Sequence, residues 1–314
     1  MRVGVIGPTG FGGSYVCVEL INRGHNVVGM SRHPEKLGTH PLYTARKIDI
    51  ENMSIDELAK AFGDVDTLVS EYGPHTQGAD ALQYMPYLED IRKIVLAVKE
   101  AKVKYFVHVG GTGSLYVPGT EHQCAVDCPD FFIAYRRGIA DSHAHVCYME
   151  ERLGPMGSAL RSYRNARLHA KEGKETEEDK AFVKDYEYKV SKEDKGLKFI
   201  RAGRTSFMFF DGNTSFRWTF VSPSALYRPG RRTGKYEVVL DELPLKNTPS
   251  ASSNPLDGRL LGVSCADLAV AIADDVETQK LVFKHWTVVG DLSDDTPYPS
   301  YITLADTTDG KGSA

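Results

Sequence analysis

Apolar positions in the first half of the chain alternate between two periodicities. Short continuous apolar runs, such as residues 2–6 and 104–109, are each followed by a stretch whose apolar residues recur at helical spacing. Strands that alternate with amphipathic helices are typical of a parallel sheet with crossover helices. The pattern therefore predicts an α/β fold with a Rossmann-type, doubly wound parallel sheet. Further strands are predicted at 25–30, 66–70, 216–221, 235–240 and 285–289, and a long helix at 82–101.

Local signals mark the ends of several predicted helices. Ser54 and Glu57 have the spacing of a capping box, and Ser264 with Asp267 indicates another capped helix. Gly24 follows an apolar helical stripe and is placed to end that helix. These signals fix where the chain changes from loop to helix.

The chain divides into four predicted parts. Residues 1–139 form the Rossmann-type core, and 140–215 form a helical, charge-rich insertion. Residues 216–305 supply the last sheet strands and a C-terminal region, and 306–314 are a loose tail. Because residues 161–198 are dense in charge, we expect a solvated helical excursion there.

Bulk composition narrows the classes of partner. The 314 residues carry a formal net charge of −4, which argues against a nucleic-acid backbone as the main partner. No apolar stretch approaches membrane-spanning length, and the chain opens directly on a predicted strand, so we expect no membrane association, no signal peptide and a cytoplasmic location. A small-molecule substrate is the expected partner, with a homodimer left open. The cysteines suit reduced thiols: Cys17, Cys124, Cys128, Cys147 and Cys265.

A glycine loop between the first predicted strand and helix points to a cofactor. Gly7, Gly10 and Gly13 give the pattern G-x-x-G-x-x-G. Such glycines allow a tight turn, a close approach to a ligand and close helix–sheet packing, and the helix N-terminus attracts a diphosphate. A purely structural glycine turn is the alternative. Thr9, Phe11 and Gly12 complete the predicted diphosphate loop.

The end of the second strand indicates which dinucleotide binds. Sites for NAD usually place a carboxylate there, whereas sites for NADP place cations. This chain has Ser31 and Arg32, and no acid before Glu35. A hydroxyl and a guanidinium can hold a 2′-phosphate, so NADP(H) is favoured over NAD(H). A solvated surface arginine is the alternative reading.

Two further segments are placed by topology. Asp49 and Ile50 follow the presumed third strand and are expected at the adenine edge. Tyr72 and Gly73 end the fourth strand and are expected beside the cofactor. Both predictions rest on the rule that ligands bind outside the carboxyl ends of parallel strands.

With these residues in view, the chain resembles the atypical short-chain dehydrogenase/reductases, close to the NAD(P)H-binding proteins of the NADH-flavin-reductase-like and NmrA-like group. Five segments carry the resemblance: residues 7–13, 32–37, 106–115, 218–223 and 229–236.

The insertion 140–215 is expected to serve as a substrate cap or an interface. The resemblance implies that residues 1–139 are a dinucleotide-binding Rossmann core and that the C-terminal region 216–305 covers the substrate. It implies that Ser114 lies near the nicotinamide and the substrate carbonyl, where a hydroxyl can donate to developing negative charge. Gly110 and Gly111, which lead to Ser114, are expected beside the cofactor. The backbone at Ser222 and Pro223 is expected to line the nicotinamide pocket.

The chain departs from ordinary short-chain dehydrogenases at the Tyr-x-x-x-Lys pair. Tyr135 lies at a plausible distance after the glycine segment, but position 139 is Ile. Tyr188 and Lys192 have the spacing, yet chance explains the pair better in a lysine-rich stretch. The catalytic candidates are therefore Ser114, Tyr135 and His143, with water as a further proton source.

The predicted function is that of an NADPH-dependent oxidoreductase that transfers hydride to a carbonyl, quinone, enone or flavin-like molecule. Alternatives are a non-catalytic NADP(H)-binding redox sensor, or an isomerase, dehydratase or cyclase on the same fold. No metal is predicted, because His122, Cys124 and Cys128 lack the remaining ligands of a zinc site.

Overall fold

The computed structural model describes residues 1–73, 83–192 and 195–308. Its central sheet has the order β3-β2-β1-β4-β5-β6-β10-β8, and among the described strands of this sheet all but β8 run parallel. A small parallel ladder joins β7 to β9. The strands are β1 (Arg2–Ile6), β2 (Asn26–Ser31), β3 (Tyr43–Lys47), β4 (Thr67–Ser70), β5 (Tyr105–Val109), β6 (Trp218–Val221), β7 (Leu226–Arg228), β8 (Tyr236–Leu240), β9 (Gly262–Ser264) and β10 (His285–Gly290). The helices are α1 (Phe11–Asn22), α2 (Ile55–Phe62), α3 (Tyr84–Glu100), α4 (Pro129–Asp141), α5 (His143–Leu153), α6 (Pro155–Lys171), α7 (Glu177–Lys192), α8 (Lys195–Ser206) and α9 (Cys265–Thr278).

The predicted α/β fold is confirmed, because helices cover both faces of the sheet. Along β4 and β5, Val69 and Val107 point into the core beneath α1 and α9. Their neighbours Leu68 and Phe106 point into a second core beneath α2 and α3. Strands buried on both faces are apolar at most positions, which is why they appear in the sequence as nearly continuous apolar runs.

The predicted helix ends are also confirmed. Glu57 N donates to Ser54 Oγ at 3.2 Å and Ser54 N donates to Glu57 Oε2 at 2.8 Å, which completes the capping box of α2. Asp267 N donates to Ser264 Oγ at 3.0 Å at the start of α9. Gly24, just beyond α1, has φ +80°, a left-handed conformation that glycine adopts without strain.

The charge-rich insertion is helical, as predicted, but several of its side chains pack against the rest of the protein. Tyr163 of α6 is fully buried, and its hydroxyl donates to Glu187 of α7 at 2.5 Å. Arg137 of α4 pairs with Glu187 at 2.8 Å and with Asp257 at 2.6 Å. Half-buried ion pairs therefore tie α7 to α4 and to the C-terminal region.

The segment before the C-terminus lies along α1. Tyr15 donates its hydroxyl to Pro299 O at 2.5 Å, and Thr308 N donates to Asn22 Oδ1 at 2.8 Å. Of the predicted loose tail, residues 306–308 belong to this packed segment, and 309–314 lie outside the described residues.

The chain reverses its direction of travel across the sheet between β1 and β4, which are neighbours in the strand order. Strands β2 and β3 lie on one side of this point, and β5 and β6 on the other. In open α/β sheets such a switch point opens a crevice at the carboxyl ends of the strands, where ligands bind. The candidate site lies at this edge.

Candidate dinucleotide site

The glycine loop brings the start of α1 against the end of β1. Gly7 has φ +78°, and Gly10 N donates to Gly7 O at 3.0 Å, which closes the turn. A Cβ on Gly13 would lie 2.0 Å from Gly7 O, so only glycine permits this approach of helix to loop. The helix has no side-chain cap and no acid in its first turn. Its first N–H groups and positive dipole end therefore suit a diphosphate.

An aromatic stack covers the outer side of the loop. Phe11, the first residue of α1, stacks on Tyr148 of α5 with ring centroids 4.4 Å apart and lies 5.0 Å from Tyr227. The Arg152 guanidinium lies 5.7 Å from the Phe11 ring centroid and donates to the Tyr148 hydroxyl at 2.6 Å. The Phe11 side chain therefore docks the insertion on the loop, while Thr9 in the same turn stays half-buried.

Sequence reasoning missed Glu71, the residue directly after β4. A Cβ on Gly12 would lie 2.4 Å from Glu71 Oε2, so the carboxyl group rests on the loop. Glu71 Oε1 is sealed from solvent and has no hydrogen-bond partner within the described part of the chain, although the residue as a whole is half-buried. Burial raises the pKa of Glu71 to about 8. The carboxyl is therefore mainly neutral at pH 7, and a diphosphate beside it meets no full negative charge.

The residues predicted at the adenosine end come together after β2 and β3. Ser31 ends β2, and its Oγ accepts a hydrogen bond from His33 N at 3.3 Å. The pKa of Asp49 is lowered, first by a hydrogen bond from Asn52 and then also by the positive charge of Arg32. Arg32 therefore lies near Asp49, and both side chains reach the surface.

The Ile50 side chain faces the protein core and not the crevice where a ligand would bind. It is buried in the core beneath α2 and α3, and its carbonyl accepts a hydrogen bond from Lys93. Its side chain is therefore part of the packing that holds the loop after β3. A role at the adenine edge stays a prediction for this residue.

Tyr72 directs its hydroxyl into the protein. It donates to Asp90 Oδ2 of α3 at 2.5 Å, and its ring stacks on Tyr87 at 6.2 Å. Gly73 is exposed, with open space around the position of a missing Cβ. A cofactor passing the end of β4 would therefore meet Tyr72 through its backbone, and Gly73 leaves room for it.

The segments after β5 and β6 are joined at the same edge. Thr112 Oγ1 donates to Pro223 O at 2.7 Å. A Cβ on Gly110 would lie 2.3 Å from the Phe220 ring, so this glycine is required by packing, whereas Gly111 faces open space. Ser114 is buried, and its Oγ has no hydrogen-bond partner among the residues that the structure describes. An unpartnered buried hydroxyl at this place can serve a bound ligand.

The other two catalytic candidates lie on different helices. Tyr135 of α4 is half-buried and stacks on Phe131 with centroids 5.8 Å apart. His143 begins α5 at the surface, where its ring lies 3.6 Å from Cys147 Sγ and its backbone N donates to Asp295 at 3.0 Å. The contacts of His143 thus point toward its own helix and the loop after β10 rather than toward the buried hydroxyl of Ser114.

The cysteines are free thiols in the structure. Cys124 and Cys128 are buried, and Arg204 Nε donates to Cys124 Sγ at 2.8 Å. Within the described ranges, no group of three or more histidine, cysteine, aspartate or glutamate side chains is arranged to hold a metal ion. Among the helices that the structure describes, none is long and apolar enough to cross a bilayer.

Comparisons with known proteins agree with this geometry. Residues 7–138 match a family model described as NAD(P)H-binding. The uncharacterized protein YwnB of Bacillus subtilis is 23% identical over 292 residues, which cover 93% of this chain and 99% of that protein.

Two solved structures share the fold over nearly the whole chain. An epimerase candidate from Bacteroides thetaiotaomicron aligns with a TM-score of 0.61 at 22% identity, covering 92% of this chain and 96% of the other. An NADH-flavin reductase candidate from Streptococcus pneumoniae aligns with a TM-score of 0.55 at 18% identity, covering 93% and 100%. Residues 7–138 thus match an NAD(P)H-binding model, and the solved structures share the fold, which agrees with the resemblance inferred from the sequence.

Proposed function

We propose that this protein is an NADPH-dependent reductase that acts on a small carbonyl, quinone, enone or flavin-like acceptor. The observation that carries the proposal is the uncapped start of α1 seated on the Gly7 turn, at the switch point of a Rossmann-type sheet. The other parts of the site extend from this point toward both ends of a dinucleotide.

The adenosine end favours NADPH. Ser31 supplies a hydroxyl and Arg32 a planar cation, which together can bind a 2′-phosphate through charge-assisted hydrogen bonds. Asp49 lies beside Arg32 and is kept ionised by Asn52, so it can orient the guanidinium and accept from the adenine amino group. The second strand ends without an acid that would bind a 2′-hydroxyl.

The other end supplies positioning and electrostatics. NADPH supplies the hydride when bound, so the protein has to hold the acceptor and stabilise its oxygen. The buried, unpartnered Ser114 hydroxyl can donate to an acceptor oxygen as negative charge develops there. Gly111, beside it, leaves space for the cofactor. The flavin reductase candidate among the structural relatives makes a flavin a reasonable acceptor to test.

A panel of acceptors tests the proposal. Purified protein is mixed with NADPH and either benzaldehyde, cyclohexenone, menadione or FMN, and NADPH oxidation is followed by its absorbance. We expect turnover with at least one acceptor, and a loss of rate in Ser114→Ala while NADPH still binds. Tight binding of NADPH without oxidation by any acceptor would contradict a reductase and favour a non-catalytic sensor.

The Arg32→Ala variant tests the preference for NADPH. Charge-assisted hydrogen bonds contribute about 1.5–3 kcal/mol, so NADPH binding should weaken by roughly 10- to 100-fold. NADH lacks the phosphate, and its affinity should change by less than about twofold. Arg32→Lys keeps the charge and loses the planar fork, so its NADPH affinity should lie between those of the wild type and Arg32→Ala. Equal losses for both dinucleotides in a calorimetric titration would refute the assignment.

The raised pKa of Glu71 predicts that cofactor affinity depends on pH. Above its pKa of about 8, the carboxylate would repel the diphosphate. NADPH binding should therefore weaken as pH rises, by up to about tenfold for each unit above that value. Glu71→Gln keeps the shape without the titration, so the ratio of variant to wild-type affinity should rise with pH over the same interval. A ratio that stays constant across pH 7 to about 9.5 rules out this role.

The same group affects folding stability with a definite sign. The folded-state pKa of Glu71 is raised from its ordinary 4.5 to about 8, so its contribution is fully present below about 4.5 and is lost as pH rises through 8. The melting temperature of Glu71→Gln minus that of the wild type should therefore become more positive as pH rises from 5 to about 9. This measurement needs no cofactor and checks the burial of the carboxyl independently.

A further inference from the structure

A serine and a histidine on adjacent strands form a buried pair at the nicotinamide end. Ser222 follows β6 and His285 begins β10, where the register places His285 beside Phe220. Ser222 Oγ lies 2.8 Å from His285 Nε2. Both side chains are buried, with relative exposures of 0% and 3%. The hydrogen bond is therefore shielded from solvent.

The second ring nitrogen of His285 faces an acid that reaches the surface. His285 Nδ1 lies 3.3 Å from Asp241 Oδ1, within ion-pair distance although not aligned for a hydrogen bond. The Asp241 side chain is 55% exposed. Its backbone N donates to His285 O at 3.1 Å, and its φ of +57° turns the chain sharply after β8. Asp241, His285 and Ser222 thus form a chain of polar groups from solvent to a buried hydroxyl.

Aromatic rings enclose the middle of this chain. The His285 ring lies 4.4 Å from the Phe207 ring and 5.5 Å from the Phe220 ring. These apolar neighbours leave the two ring nitrogens as the groups through which a proton can pass. A buried imidazole held between a hydroxyl and a carboxylate is suited to transfer protons.

The inner end of the relay, Ser222, follows β6 at the carboxyl edge of the sheet, where an acceptor is expected. The bond between Thr112 and Pro223 places the segment after β6 against the turn that carries Ser114. Ser114 and Ser224 are both buried, and among the described residues their hydroxyl oxygens have no hydrogen-bond partner. Ser114, Ser222 and Ser224 therefore lie on two joined segments, and the hydroxyls of Ser114 and Ser224 can still bind a ligand oxygen.

We propose that Asp241, His285 and Ser222 form a proton relay that delivers the proton required in carbonyl reduction. The proposal rests on the proposed reductase function, and it answers the absence of a Tyr-x-x-x-Lys pair at Tyr135. NADPH supplies the hydride, which brings one hydrogen and two electrons to the carbonyl carbon. The acceptor oxygen takes the Ser222 hydroxyl proton, Ser222 Oγ takes a proton from His285 Nε2, and His285 regains one at Nδ1 from water beside Asp241. The sum is one hydride and one solvent proton added to the carbonyl.

The direction of burial distinguishes this arrangement from a hydrolytic triad. In a hydrolytic triad the carboxylate is buried and orients the imidazole, whereas here the Asp241 carboxylate is exposed. In a relay the exposed end exchanges protons with water. In the proposed relay Ser222 donates to the acceptor oxygen, and His285 and Asp241 act through Ser222.

The test compares two acceptors that differ in their need for a proton. Reduction of benzaldehyde requires a proton at oxygen, whereas FMN accepts hydride at nitrogen and is stable as the anion. Ser222→Ala and His285→Gln should lower kcat for benzaldehyde at least about 100-fold, the usual scale of general acid catalysis. The ratio of the benzaldehyde rate to the FMN rate should therefore fall at least about 30-fold in both variants, because only benzaldehyde reduction needs the proton path. Asp241→Asn should slow benzaldehyde reduction and increase its solvent isotope effect, because proton supply then limits the rate more strongly.

Thr287→Val is the matched control. Thr287 lies two residues along β10 on the same face, and its buried hydroxyl has no hydrogen-bond partner, so its loss should leave both rates unchanged. Equal losses with benzaldehyde and FMN in the relay variants would show a merely structural role. Wild-type turnover of FMN but not of benzaldehyde would overturn the relay and leave the reductase proposal intact. Turnover of no acceptor would overturn both.

Nitrogen NMR of labelled histidine gives a readout without turnover. In the cofactor-free protein the Nε2 resonance of His285 should show a hydrogen bond that Ser222→Ala removes. Asp241→Asn should shift Nδ1 and leave Nε2 in place. An Nε2 resonance that is the same with and without the Ser222 hydroxyl would overturn the relay, whatever the kinetics show.

Discussion

The close approach of α1 to the end of β1 is the constraint on which the rest of the site depends. Because Gly13 has no side chain, the helix can start directly over the Gly7 carbonyl, where a Cβ would lie 2.0 Å away. This aims the first N–H groups of α1 at the switch point between β1 and β4. The segments after β2, β4, β5 and β6 then fall around one crevice, since the carboxyl ends of parallel strands share one edge.

The two ends of this crevice carry different kinds of side chain. Ser31, Arg32 and Asp49 gather polar and charged atoms at the surface, which suits the adenosine end of a dinucleotide. At the other end Ser114 and Ser222 are sealed from water, which strengthens any hydrogen bond they make with an acceptor oxygen. The Glu71 carboxyl rests on the glycine loop at Gly12. Because its pKa is raised, this carboxyl is mainly neutral at pH 7 and would not repel a diphosphate bound at the loop.

The fold and the glycine loop could be predicted because their signals are local. Continuous apolar strands, the capping box at Ser54 and the glycine spacing all depend on residues close together in the chain. Glu71 also had a signal, an acid at the end of a buried strand. The pairing of Ser222 with His285 had none, because residues 63 positions apart meet only through the order of β6 and β10 in the sheet. The position of Ile50 in the core likewise depends on tertiary packing.

The hold of the glycine loop on a diphosphate is tested most directly by a calorimetric titration of the purified chain with NADPH and NADH, followed by competition with ADP and with adenosine. We expect saturable binding of NADPH at one site per chain. ADP, which carries a diphosphate, should displace NADPH, and adenosine, which carries none, should displace little. Two results would contradict the claim that the backbone of the first turn holds a diphosphate. One is that neither dinucleotide gives a heat of binding, and the other is that adenosine displaces NADPH as effectively as ADP does.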